Sequence, residues 1–309
     1  MRYVVEPGKT RKSINFIDNI VYSKVKNLEG NDLELKMSVM LQNGNSEMML
    51  AAGYSDEEEK TIKPAIVWVP GGGYRGCDKN LMVAEMQFLA DAGYVVASIY
   101  YRSSAEGHFP DQIIDVKTAI RYLRAHAAEY GIDPDRIGII GRSAGGHLSA
   151  LAAMNEDSHH SDEYVGYSDK VQACCDMFGP VDIPALLKME AEQFEADPDN
   201  YRWENVAKSH GGELMGGDYN EDMIARSKLA SPPYLLSNRM CPIMIMHGDA
   251  DTLVPVTISE NFYNKIVEAG LGNRADLYIL HNAGHGTNDF FQNYTKQLIL
   301  DFFNRVLRS

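Results

Sequence analysis

"GRSAGGH", Gly141 to His147, sets three glycines and an alanine around one serine, directly after the apolar run "RIGII". A solvated loop does not need so many small residues. A serine on a very tight turn does, because backbone passing close to it must lack Cβ atoms. The apolar run, the G-x-S-x-G and the segment "AGGHLSALAAM" follow in the order strand, turn, helix. In that context the turn exposes a serine hydroxyl, and the helix N-terminus points N–H groups at developing negative charge. Ser143 is the candidate nucleophile.

The rest of the chain fits a sheet that could carry such a turn. "NIVYSKV" and "LELKMSVML" alternate apolar and polar residues, as half-exposed strands do, with turn chemistry in "LEGND" between them. After Pro64 the runs become short and nearly all apolar: "AIVWVP", "YVVASIYY", "RIGIIG", "VQACCDMF", "PIMIMHG" and "DLYILHN". Such runs suit strands covered on both faces of a parallel sheet. Helical patterns separate them: "NLMVAEMQFLADAG", "PDQIIDVKTAIRYLRAHAAEYG", "TISENFYNKIVEAG" and "NDFFQNYTKQLILDFFNRVL". The expectation is one α/β domain over residues 1–309: a mostly parallel sheet, antiparallel N-terminal strands, and helices on both faces. Residues 182–238 hold no clean strand and read as a cap or lid insertion after the sixth strand. Within it, "GGELMGG" (Gly211 to Gly217) reads as cap loop, since no strand precedes it. The acidic stretch Ser55 to Lys60 reads as a solvated loop.

Bulk properties narrow the partners. The 309 residues are 45% hydrophobic and 23% charged, ordinary for a globular chain able to bury a sizeable core. A formal net charge of −14 argues against nucleic acid and anionic membrane surfaces. No apolar run is long enough to span a membrane, and "MRYVVEPGKTRKSINF" lacks the core of a signal peptide, so the expected location is cytoplasmic. Cys77, Cys174, Cys175 and Cys241 form no C-x-x-C pair and read as small buried residues. His159 and His160, in "NEDSHHSDE", lack a third ligand at metal-site spacing. Neither a metal nor a cofactor is expected. The N-terminal strands offer a sheet edge, which leaves an oligomer open.

A serine hydroxyl needs a base, and the base needs a carboxylate to fix its tautomer. His285 in "NAGHG" follows the last strand, at the sheet end where open α/β folds place chemistry. His281, within "YILHN", and His147, in the helix that follows Ser143, are assigned structural roles. "PIMIMHGDADTLVP" supplies Asp249 and Asp251. Asp251 is taken as the acid and Asp249 as a loop brace, which gives the chain order Ser, Asp, His. "VWVPGGGYRG" puts Gly71 to Gly73 after a strand, with no Gly-Lys-Ser/Thr to suggest a phosphate cradle. The amides of Gly72, Gly73 and Ala144 are the candidate oxyanion donors. Tyr74 is the candidate substrate-lining residue.

With these pieces in place, the sequence resembles the α/β-hydrolase superfamily, in its hormone-sensitive-lipase-like branch and nearest to bacterial acetyl- and feruloyl-esterase-like proteins. The matching segments run in family order from Pro64 to the C-terminus: "PGGGY", "YYRSSAEGHFP", "IIDVKTAIRYLRAHAAEYGIDPDRIGIIGRSAGGHLSA", "SPPYLLS", "HGDADTLVP" and "GHG". Pro70 stands where lipase-like relatives have histidine, Arg142 is bulkier and more basic than the common residue, and Tyr100 replaces an acid. Arg102 and Asp115 match recurrent positions and read as a structural ion pair. The resemblance implies a serine carboxylesterase for small-molecule or oligosaccharide esters, with short or aromatic acyl groups such as acetyl or feruloyl on plant-cell-wall sugars. Two alternatives stay open: an amide hydrolase of arylformamidase or peptidase type, and an inactive binding protein on the same fold.

Overall fold

The computed structural model describes residues 1–6, 13–42 and 62–308. The acidic stretch Ser55 to Lys60 lies outside the described residues. Eight strands form one sheet in the order β1-β2-β4-β3-β5-β6-β7-β8. They are β1 (Ile14–Lys26), β2 (Asp32–Gln42), β3 (Lys63–Val69), β4 (Val95–Ile99), β5 (Ile132–Arg142), β6 (Ala173–Met177), β7 (Ile243–Gly248) and β8 (Ala275–Leu280). The β1–β2 and β2–β4 pairs are antiparallel. All other pairs are parallel. The alternating N-terminal runs and the apolar runs after Pro64 thus form the two kinds of strand their patterns imply.

The apolar runs are continuous because successive residues enter two separate cores. Val67, Val69, Ile139 and Cys174 face one layer, with α2 (Asp111–Ala125), α4 (Ala144–Ala153) and α8 (Thr257–Glu268). Ile66, Trp68, Ile140 and Cys175 face the other, with α1 (Gln87–Asp91) and α9 (Asn293–Leu307). Cys174 and Cys175 therefore point to opposite sides, and all four cysteines are free and buried. A four-residue α3 (Ala127–Tyr130) ends at Gly131 and leads into β5. Among the described residues no helix is long and apolar enough to cross a membrane.

β3 lies between β4 and β5, so the chain leaves β3 to one side and later returns on the other. The crevice opened by such a reversal is where open α/β sheets bind ligands. Val69, at the end of β3, pairs with Gly141 of β5, so the glycine loop and the serine turn emerge side by side.

The segment between β6 and β7 carries α5 (Ile183–Ala196), α6 (His210–Met215), α7 (Glu221–Ser227) and several short 3-10 turns. It includes a correction: "GGELMGG" is helical over most of its length. Ser209 caps α6 by accepting from the Gly212 N–H, and the helix stops at Gly216, whose φ is 64°. Two adjacent glycines disfavour helix intrinsically; the cap and the burial of Gly211, Gly212, Leu214 and Met215 override that preference.

Arg102, next to β4, and Asp115, on α2, form the ion pair their positions suggested. Arg102 Nη2 lies 2.7 Å from Asp115 Oδ1, and Nε lies 2.9 Å from Oδ2. Burial pushes the Asp115 carboxyl up to about 6, against the pull of Arg102. Asp115→Asn would leave the guanidinium buried with only Asp111 as its anion. The expected loss is about 3 kcal/mol of unfolding free energy, read from urea denaturation of both proteins.

Candidate active site

Ser143 sits between β5 and α4 with φ 52° and ψ −125°, a region that L residues avoid. Its N–H donates to the Met177 carbonyl (2.8 Å), and its own carbonyl accepts from the His147 N–H (3.0 Å). The turn also depends on contact with β3. A Cβ on Gly145 would lie 2.0 Å from the Val69 carbonyl oxygen, so only glycine lets α4 approach that strand.

The three residues expected to act together form one hydrogen-bonded chain. Ser143 Oγ lies 2.9 Å from His285 Nε2, and His285 Nδ1 lies 2.7 Å from Asp251 Oδ2. Chemistry fixes the proton positions. Nδ1 faces a carboxylate, so it donates; Nε2 then carries the lone pair that accepts the Ser143 hydroxyl. Asp251 follows β7 and is buried. Its Oδ1 accepts from the Leu253 and Val254 N–H groups at 2.8 and 2.9 Å. Burial opposes its ionised form, but hydrogen bonds from His247, His285 and Val254 hold the carboxyl well below the usual range.

His247 escaped the sequence analysis. It is fully buried at the end of β7, with Nε2 2.9 Å from the Val254 carbonyl and 3.2 Å from Asp251 Oδ2. Both neighbours are acceptors, so Nε2 donates, and Asp251 Oδ2 takes protons from two imidazoles. The spacing in "HGDAD" is the one signal that could have revealed it. Asp249 braces the loop as expected, accepting from the Asn282 N–H (2.6 Å) and lying 2.7 Å from His281 Nδ1. His281 corrects a detail, since β8 ends at Leu280 and this imidazole is largely exposed in the following turn. A second acid, Asp176 of β6, lies against Gly146 of α4, where burial pushes it up to about 7 against the pull of His247 and the Gly179 N–H.

His147 is structural in its geometry. Nε2 faces the Ala230 carbonyl at 2.5 Å and must donate, so Nδ1 accepts the Tyr74 hydroxyl at 2.8 Å. Burial pushes the His147 imidazole down to about 4, which keeps it neutral. Tyr74 lines the cavity beside Ser143, yet its hydroxyl is committed to this contact. Among the described residues, the N–H groups of Gly72, Gly73 and Ala144 have no hydrogen-bond acceptor. They belong to residues lining the same cavity of about 230 Å³ as Ser143 and His285.

The inserted segment closes one side of this cavity with residues that no sequence pattern marked. His210 lies against Gly73: with φ 58°, a Cβ there would meet Nε2 at 2.7 Å. Trp203 packs on the His210 ring with centroids 4.8 Å apart, and the Arg75 guanidinium lies 3.8 Å from the Trp203 ring centre. Arg75 also pairs with Glu213 at 2.7 Å. Burial, with help from Arg75 and Arg202, pushes His210 down to about 4. Glu190 of α5 lines the cavity too, with one oxygen accepting the Tyr201 hydroxyl at 2.6 Å. Elsewhere, His159 packs edge-on against Phe109 and His160 pairs with Asp169 at 2.7 Å. Among the described residues no cluster of three metal-ligating side chains occurs.

The BD-FAE family model matches residues 53–266, and the chain belongs to that family. A Mycobacterium tuberculosis protein named "Probable carboxylic ester hydrolase LipM" is 30% identical over 213 residues, covering 66% of this chain and 44% of the relative. The esterase LipC of the same organism is 27% identical over 261 residues, covering 80% and 59%. The chain thus spans about half the length of the curated relatives it matches. A solved structure described as a truncated form of a carbohydrate esterase from gut microbiota superposes with a TM-score of 0.75 at 28% identity. It covers 98% of this chain and 99% of that one. The sheet, its helices and these neighbours together make this an α/β-hydrolase fold of the hormone-sensitive-lipase-like branch.

If His247 orients Asp251, His247→Ala should slow fluorophosphonate labelling of Ser143 by about ten-fold, and His247→Gln, which keeps an N–H, should recover part of it. Equal labelling rates in all three proteins, measured as labelling time courses, would assign His247 to packing alone.

Proposed function

We propose that this protein is a serine carboxylesterase in which Ser143 is the nucleophile, His285 the base and Asp251 the orienting acid. The observation that carries the reading is the hydrogen-bonded chain from Asp251 through His285 to Ser143, opening onto a cavity beside three unpaired backbone amides. Ser143 Oγ attacks the ester carbonyl carbon while His285 Nε2 takes its proton. The carbonyl oxygen becomes an oxyanion, received by the amides of Gly72, Gly73 and Ala144. His285 then protonates the departing alcohol, leaving an acyl-Ser143 ester. Water, deprotonated by His285, attacks that ester, and the released Ser143 oxygen regains the proton. Asp251, fully ionised and hydrogen-bonded, stabilises the imidazolium at each stage without taking a proton itself.

The substrate side of the reading is short-chain or aromatic acyl esters, such as acetyl or feruloyl groups on sugars, with the short acyl favoured. A cavity of about 230 Å³ lies below the usual range for drug-sized ligands, about 300–1,000 Å³, which favours a small acyl group. Glu190 and the neutral His210 offer acceptors for alcohol hydroxyls, which suits a sugar better than a hydrocarbon. The inserted helices α5 to α7 serve as the cap that carries these groups. The solved carbohydrate esterase supports the same direction by similarity.

The test is kcat/KM on p-nitrophenyl acetate, butyrate and octanoate. The expected order falls from acetate to octanoate, and Ser143→Ala loses at least about a thousand-fold on every ester. A preference for octanoate would overturn the short-chain reading. Undiminished activity in Ser143→Ala would remove Ser143 from the mechanism.

A further inference from the structure

The buried arginines Arg102, Arg121 and Arg124 have partners. Arg102 has Asp115, Arg121 lies 3.1 Å from Asp169, and Arg124 donates to the Pro134, Ser168 and Lys170 carbonyls. Arg142, one residue before Ser143, does not. Its Nε is buried with no acceptor, and among the described residues no carboxylate lies within ion-pair reach of its guanidinium. Burial lowers its pKa, with no acid acting in the other direction. The Phe178 ring, centred 5.8 Å from the guanidinium carbon, offers a π-face but no directional acceptor.

The side chain runs along the reactive centre. A Cβ on Gly71 would lie 3.4 Å from Arg142 Cγ, and one on Gly286 would lie 2.7 Å from Nη2. Arg142 therefore spans from the glycine loop to the residue after His285, and it lines the same cavity as Ser143. A half-buried cation without a counter-ion costs free energy in the empty site, and an arriving anion recovers it. A planar fork of N–H donors matches a carboxylate.

We propose that Arg142 is a specificity residue that binds a carboxylate on the substrate, so that the preferred ester is a monoanion. This rests on the esterase reading above, which it deepens by naming the charge of the substrate. A single negative charge fits better than a phosphate dianion, because Glu190 lines the same cavity and Asp251 is ionised nearby. The chain's net charge of −14 would repel an anionic substrate in general, so a local cation is needed to hold one. The carboxylate can belong to the acyl half, as in a dicarboxylic monoester, or to the alcohol half, as in an esterified sugar acid.

Two pairs of matched esters test this, with hydrolysis followed by pH-stat. The acyl arm compares monoethyl succinate with ethyl butyrate; the alcohol arm compares acetylated glucuronate with acetylated glucose. In the wild-type protein the anionic member of one pair should be favoured by about ten-fold in kcat/KM, and salt should reduce that preference. Which pair responds identifies the half that carries the charge. Arg142→Met should bring the ratio towards one, and Arg142→Lys should keep part of it. Should the Met variant not fold, the wild-type ratio, its salt dependence and the Lys variant decide. Calorimetric titration with succinate and glucuronate, against succinamide and glucose, reads binding without turnover. Hydrolysis of the neutral esters with ratios near one, and no carboxylate binding, would overturn the role of Arg142 and leave the esterase reading intact. Carboxylate binding that Arg142→Met abolishes, in a protein that cleaves none of the esters, would uphold the role and overturn the esterase reading.

Discussion

The turn from β5 into α4 is the constraint on which the site is built. Ser143 is held at φ 52°, a conformation that costs about 1–3 kcal/mol and persists only where its surroundings leave no alternative. Those surroundings are three strands. Met177, at the end of β5's neighbour β6, accepts the Ser143 N–H; Val69, at the end of β3, lies against Gly145; β5 itself delivers the chain. The sheet must therefore have β3, β5 and β6 side by side before the serine can point outward. Other strand orders would remove either the acceptor or the surface against which the helix rests.

From that fixed point the electrostatics follow. Two imidazoles donate to one oxygen of Asp251 while two backbone amides occupy the other, so the carboxylate has no freedom to rotate and no reason to hold a proton. His285 is consequently fixed in the tautomer that leaves its Nε2 lone pair facing Ser143. His147 is neutral for a different reason, burial, and spends both nitrogens on Tyr74 and Ala230. The same residue type does unlike work because one ring faces an anion and the other faces only neutral groups.

Most of this was legible in the sequence where local chemistry decides it. The strands were readable because continuous apolar runs have one good solution, two-sided burial. Ser143 and the glycines stood out because a tight turn demands small residues at fixed offsets, and Asp251 and His285 because both follow strands. Contacts made between distant segments were not legible. His247 looks like one more strand residue until Asp251, four positions on, is seen to turn back beneath it. Trp203 and His210 lie outside the insertion's one long helix, and their positions depend on Arg75, more than a hundred residues earlier. "GGELMGG" became helix through capping and burial, which no composition rule anticipates.

The register between β3 and β5 bears also on when the site comes into being. Val69 pairs with Gly141 across an intervening helix–strand–helix excursion, and β7 and β8, which deliver Asp251 and His285, are later still in the chain. Contacts between residues so far apart in sequence form slowly, because loop closure must precede any gain from them. No early-folding fragment can hold Ser143, His285 and Asp251 together, since these residues lie on loops that only the assembled sheet brings to one edge. The fold thus brings Ser143, Asp251 and His285 to one edge only once β7 and β8 have joined the sheet.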